Sequence, residues 1–173
     1  NMTADVDPRP VVCFLCTGNA ARSVMARTML VDRAPRYRAI GAGTLVLEGH
    51  PMSQRTRRAL ERLGLHDGTH RSRQFGPDHA TADLVVAMEP EHVQWVRRNY
   101  PEAASRTGTL LRLVRDLPTE GTLGERVAGL GLAEVAAEGW EEVVDPASGD
   151  QAVFDSCVDV LDGLVDRLIL RLP

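Results

Sequence analysis

Short apolar runs alternate along this chain with stretches whose apolar residues recur at helical spacing. Residues 11–15 read Val-Val-Cys-Phe-Leu, a continuous apolar run of the kind that forms a strand buried on both faces. A helical pattern follows from Arg22 to Arg33, then a short strand at 37–41 that ends in Gly-Ala-Gly. Ser53 is a helix cap, and Gly64 stops the helix that fills 54–63. Residues 84–88 form a second continuous apolar run, and Pro90 fits the first turn of a helix reaching Asn99. Residues 110–114 are expected to be a further strand. From 151 to 172 the chain is amphipathic, with Val153, Phe154, Cys157, Val158, Leu161, Leu164, Val165, Leu168 and Ile169 expected on one face. Strands alternating with helices predict an α/β fold, a three-layer sandwich with a central parallel sheet of about four strands between helices. Anions bind beyond the carboxyl ends of the strands in such sheets, which places the first candidate site directly after residue 15.

Composition narrows the class. A chain of 173 residues, 43% hydrophobic and 25% charged, makes one domain with its own core. Residues 10–173 are read as that domain and residues 1–9 as a loose tail. The formal net charge of −4 argues against nucleic acid or an anionic membrane as a partner. No apolar run reaches membrane-spanning length, and no basic-then-apolar leader opens the chain, so a cytoplasmic location is expected. All 20 basic residues are arginine, the bias of a GC-rich bacterial genome, so every cation is a planar, permanently charged fork. Three cysteines do not make a disulfide framework, and no second Cys or His pair stands at metal-ligand spacing; neither a metal nor a cofactor is expected. Cys13 and Cys16 form a Cys-x-x-Cys, but their odd separation sends them to opposite faces of a strand, so Cys13 reads as core and a redox role for it stays open. The stretch 119–139, rich in glycine, breaks the rhythm. It is read as an insertion that either lies inert on the surface or covers the site as a lid.

The candidate chemistry is concentrated in Cys16-Thr17-Gly18-Asn19-Ala20-Ala21-Arg22-Ser23. A turn from strand to helix points several backbone N–H groups into one concavity, and the helix terminus adds partial positive charge. Arg22 can grip two oxygens of a tetrahedral anion at once. Cys16, at the bottom of the same positive field, is expected to act as a thiolate nucleophile, with Ser23 as its hydroxyl partner. Asn19 faces inward and holds the turn in a left-handed conformation. Asp145, stiffened by Pro146, is the candidate general acid, with Asp116 as a weaker substitute; Glu141 and Glu142 are expected to be solvated.

The octapeptide resembles the active-site loop of the low-molecular-weight protein tyrosine phosphatases, and arsenate reductases of the same fold carry a similar loop. The segments His70-Arg-Ser-Arg73-Gln74, Asp83 through Met88-Glu89, and Asp145-Pro146 resemble family segments in the same order. The resemblance implies hydrolysis of phosphomonoesters through a cysteinyl-phosphate intermediate, with Cys16, Arg22 and Asp145 catalytic. Residues 17–23 would bind phosphate or sulfate, and His70, Ser23 and Asn19 would support the loop. The implied substrate is a phosphorylated protein or a small phosphomonoester. Two departures stand out. The family's serine below the loop is Gly41 here, and the aromatic rings that line the family's cleft are missing from 44–48 and 147–149. A single-cysteine arsenate reductase using an external thiol, and a non-catalytic anion-binding protein, remain as alternative readings.

Overall fold

The computed structural model describes residues 6–173. Four parallel strands form one sheet: β1 (Val11–Cys16), β2 (Arg38–Gly43), β3 (Leu84–Ala87) and β4 (Thr107–Thr109), in the order β2-β1-β3-β4. The helices are α1 (Arg22–Arg33), α2 (Gln54–Glu61), α3 (Pro77–Ala80), α4 (Pro90–Asn99), α5 (Leu110–Asp116), α6 (Leu123–Ala128) and α7 (Gln151–Arg171). The expected α/β sandwich is therefore the observed one. Because β1 lies between β2 and β3, connections leave it in opposite directions and open a crevice at its carboxyl end.

Alternation along β1 divides the core. Val12, Phe14 and Cys16 point to the face covered by α1, α5 and α7, while Cys13 and Leu15 point to the face covered by α3 and α4. Phe75, Trp95 and Tyr100 build an aromatic cluster on that second face, with ring centroids 5.2 to 5.9 Å apart. Few rings are left over for the crevice.

Residues 110–114 are helix, not strand. Leu110, Leu113 and Val114 are buried at the i, i+3, i+4 spacing of one helix face, which a five-residue window does not separate from a strand. Thr109 caps this helix by accepting from the Arg112 N–H at 3.2 Å, so the strand is the preceding Thr107–Thr109. The stretch 119–139 does not cover the crevice. Thr122 and Glu125 form a capping box on α6, Leu132 packs against Gly108 of β4, and Arg126 donates to the carbonyl of Arg171 at 2.7 Å. A cavity of about 640 Å³ lies between this stretch and the amino ends of β1 and β3 at Pro10 and Asp83. This stretch thus shields the β4 edge and the bottom of the sheet, away from Cys16. Of the expected tail, residues 1–5 lie outside the described residues; Arg9 is tied down, donating to the carbonyls of Pro35 and Tyr37. No helix among the described residues is long and apolar enough to cross a membrane.

Candidate active site

The loop 16–23 hangs between β1 and α1, and its carbonyls from Cys16 to Ala21, apart from that of Gly18, turn outward to partners. The Cys16 and Thr17 carbonyls accept from the N–H groups of Thr44 and Leu45, each at 3.0 Å. The Asn19 carbonyl accepts from His70 Nε2 and Ser72 Oγ, each at 2.8 Å. The Ala20 carbonyl accepts from Thr56 Oγ1 at 2.8 Å, and the Ala21 carbonyl from Met25 N at 2.9 Å. With the carbonyls committed outward, the N–H groups of the turn converge inward, and no side chain caps the first turn of α1. The result is an anion nest whose shape is set from behind. Gly43 is part of that setting: a Cβ there would sit 2.2 Å from the Thr17 carbonyl oxygen, so only glycine lets β2 pass this close.

Asn19 is fully buried at φ 51°, the left-handed conformation expected of it. Its Oδ1 accepts from Arg73 N at 2.9 Å, which turns Nδ2 toward Ser23 Oγ at 2.8 Å. Ser23 Oγ accepts that bond, so its own hydrogen points to Cys16 Sγ at 2.9 Å. Asn19 N also donates to the sulfur, at 3.3 Å. A relay of hydrogen bonds thus runs from the 70–74 loop to the candidate nucleophile.

The missing serine at position 41 is answered within this network. Gly41 lies under Asn19, where a Cβ would be 3.2 Å from Nδ2. Asn19 is held instead by His70, Ser72 and Arg73, all from one segment. His70 must donate from Nε2, because its partner is a carbonyl. Burial pushes its pKa down, and the bond to the Asn19 carbonyl pulls partly back.

Arg22 is 2% exposed and is held by two neighbours: Glu89 Oε2 at 2.6 Å and the Val143 carbonyl at 2.8 Å. Its second nitrogen lies 3.5 Å from Asp145 Oδ2. Asp145 is 45% exposed, with Oδ1 accepting from Ala147 N at 3.0 Å. The sequence-predicted trio of Cys16, Arg22 and Asp145 is therefore brought to one crevice with Ser23, and Asn19 and His70 support the loop from behind. Cys13 lies on the other face of the sheet, and burial pushes its thiol far up. The Cys157 thiol is raised to about 11 by burial, so it stays protonated.

Glu141 corrects an expectation. It is buried, not solvated, because Arg112 clamps it with two bonds of 2.8 and 2.9 Å and Thr109 donates to it at 2.7 Å. Trp140 lies over Arg112 and Arg115 rather than over the crevice. This cluster anchors the chain just before Asp145, and Val143 N fixes the next step by donating to the Met88 carbonyl at 2.7 Å.

Four residues escaped the sequence reading. Thr56 and Ser72 had a signal, being the third residue of the Ser53 cap and a neighbour of His70. Glu89 became visible only through its pairing with Arg22. His92 is 1% exposed, and its Nε2 lies 2.9 Å from Thr17 Oγ1. Its Nδ1 has no partner among the described residues, and an orphaned N–H is costlier than an orphaned lone pair, so Nε2 carries the proton and donates to Thr17. Burial and the nearby Arg22 lower its pKa to about 3, keeping it neutral.

Beside the loop, the segment after β2 is aliphatic. Leu45 and Leu47 are 78% and 73% exposed, and Gln74 braces the segment between them by accepting from Val46 N at 3.0 Å and donating to the Thr44 carbonyl at 2.8 Å.

Comparisons with known proteins match this geometry. The family model described as low molecular weight phosphotyrosine protein phosphatase matches residues 11–123. A protein-arginine-phosphatase of Geobacillus stearothermophilus is 30% identical, over 93% of this chain and 95% of that protein. Low molecular weight protein-tyrosine phosphatase A of Mycobacterium tuberculosis is also 30% identical, over 91% of this chain and 88% of its own. The solved low molecular weight protein tyrosine phosphatase of T. tengcongensis superposes with a TM-score of 0.76 at 28% identity, covering 94% of this chain and 99% of that one.

Proposed function

The chain belongs to the low molecular weight phosphotyrosine protein phosphatase family and is a phosphatase, and from that premise we propose that it removes phosphoryl groups from protein side chains through a cysteinyl-phosphate intermediate. The observation that carries this reading is the outward commitment of every loop carbonyl from Cys16 to Ala21, apart from that of Gly18. It leaves a nest of N–H groups beside the Cys16 sulfur, where the three equatorial oxygens of a phosphoryl group fit.

Cys16 attacks phosphorus in line, forming an S–P bond as the P–O bond to the leaving group breaks. The loop N–H groups and Arg22 hold the equatorial oxygens. Asp145 gives its proton to the departing oxygen, and its carboxylate then takes a proton from the water that attacks the intermediate. That attack releases phosphate and returns the electron pair to sulfur, where the Ser23 hydroxyl receives it with a hydrogen bond. Glu89 and the Val143 carbonyl keep the Arg22 fork in place throughout. The cytoplasm is the compartment this reading fits, since a thiolate nucleophile needs reducing surroundings.

Phosphotyrosine is the first substrate reading. The likeness to a protein-arginine-phosphatase supports phosphoarginine as the second, and residues 44–48 and 147–149 carry no ring that would select a phenyl group by stacking. A panel of p-nitrophenyl phosphate, a phosphotyrosine peptide and a phosphoarginine peptide separates them by kcat/KM. Turnover of the aryl phosphate is expected, and Cys16→Ser is expected to abolish it while phosphate still binds. Turnover that survives Cys16→Ser would sink the mechanism.

A further inference from the structure

An open apolar groove of about 360 Å³ begins at the acid segment and runs down α7. Val143, Val144 and Pro146 form one wall, on both sides of Asp145, and Val153, Cys157 and Val160 form the other. Val144, Val153 and Val160 are 70%, 42% and 54% exposed, a third of the nine exposed large apolar side chains among the described residues. Isolated exposed valines need no explanation, but a contiguous strip beside a candidate active site does.

We propose that this groove docks the phosphorylated protein itself, taking an apolar side chain that lies next to a basic residue and near the phosphorylated one. This rests on the protein-phosphatase reading above. Two features identify the occupant. The groove is continuous with the reaction centre, because the backbone that walls it also holds Arg22 through the Val143 carbonyl and carries Asp145. A polypeptide whose phosphoryl group sits in the nest and whose leaving group meets Asp145 lies beside this segment. The charge is complementary to a cation: in a chain with 20 arginines, Glu142 is the one charged residue lining the groove, and no arginine lines it. The aliphatic segment at Leu45 and Leu47 grips a side chain weakly, which leaves discrimination among substrates to a surface of this kind.

The test compares Val160→Gln and Val153→Asn with the unaltered protein. Both positions are solvent-exposed and outside the catalytic groups. The substrates are p-nitrophenyl phosphate and a series of phosphopeptides, on tyrosine or arginine according to the panel above. In the series a Leu-Arg pair is scanned outward from the phosphorylated residue on both sides, with a Ser-Ser pair as control. The unaltered protein is expected to prefer a Leu-Arg register by about tenfold in kcat/KM, a preference both variants lose while hydrolysing p-nitrophenyl phosphate normally. Phosphopeptides hydrolysed alike whatever their flank would overturn the docking site and leave the protein-phosphatase reading intact. Aryl phosphate turnover with no phosphopeptide turnover would overturn both. A dimer in sedimentation that Val160→Gln dissociates would assign the groove to a second copy of the chain instead, and overturn the proposal.

Discussion

The phosphate loop and the acid segment face each other across Arg22, yet they are built on opposite plans. In the loop, Asn19, Arg22 and Ser23 are almost wholly buried, and the outward carbonyls have partners from the residues just after β2, from α1, from α2 and from the 70–74 segment. In the acid segment, Val144, Asp145 and Ala147 are exposed, and the local support is two short-range bonds, from Ala147 N back to Asp145 and from Gly149 N to the Pro146 carbonyl. Its firm anchors lie upstream, at buried Glu141 and at the bond from Val143 to Met88. The contrast follows the chemistry. A phosphoryl group has one shape, so its cradle gains from rigidity set before binding. Leaving groups vary, so the proton donor gains from a tether that allows some reach.

The contrast can be broken most directly at Asp145. Asp145→Asn is expected to lower kcat by about 10²- to 10⁴-fold for an alkyl phosphate, and much less for p-nitrophenyl phosphate, whose leaving group needs no proton. Equal losses across a leaving-group series would mean that Asp145 acts by orienting Arg22, 3.5 Å away, and not as the acid.

A smaller effect sharpens the other half. Gly43→Ala drives a Cβ to within 2.2 Å of the Thr17 carbonyl and is expected to destabilise the protein by about 1–3 kcal/mol, with weaker phosphate binding. Adding methyls at exposed Ala147, by Ala147→Val, is expected to change stability by less than about 0.5 kcal/mol. Urea melts and phosphate titrations on the two variants check this; similar costs at both sites would erase the distinction between cradle and tether.

The third expectation concerns pH. The buried His92 behind Thr17 has a folded pKa lowered to about 3 from 6.5. Between those values the unfolded chain binds more protons than the folded one, so this contribution is complete above pH 6.5 and shrinks as pH falls. Its slope is about 1.4 kcal/mol per pH unit. Urea melts at successive pH values from 7 to 4 are expected to show this slope, and His92→Gln to flatten it, leaving the parts owed to His70 and His79, shifted in the same direction by burial. An unchanged slope in the variant would remove His92 from the support of the loop.

Much of this was legible in the chain. Residues 11–15 announce a buried strand by apolar composition alone, and the turn after it carries its chemistry in consecutive residues. Cys16, Asn19, Arg22 and Ser23 are fixed relative to one another by local backbone geometry, so eight letters define the cradle. Residues 110–114 misled because two helical turns and one strand bury the same few residues in so short a window. Glu141 misled because a carboxylate reads as solvated until its cation is known, and Arg112 lies 29 residues away.

What the sequence determined by itself was the set of contacts between near neighbours: strand, turn, helix terminus and the thiol within it. What only the tertiary structure decided were the partners that arrive from a distance. Thr56 and Ser72 lie 36 and 53 residues from the carbonyls they hold, and Glu89 lies 67 residues from Arg22. Such pairings depend on how β2, β3 and α2 stack around β1, which is settled by burial of the whole core. The apolar pattern says that these elements will pack, but not which polar group will meet which.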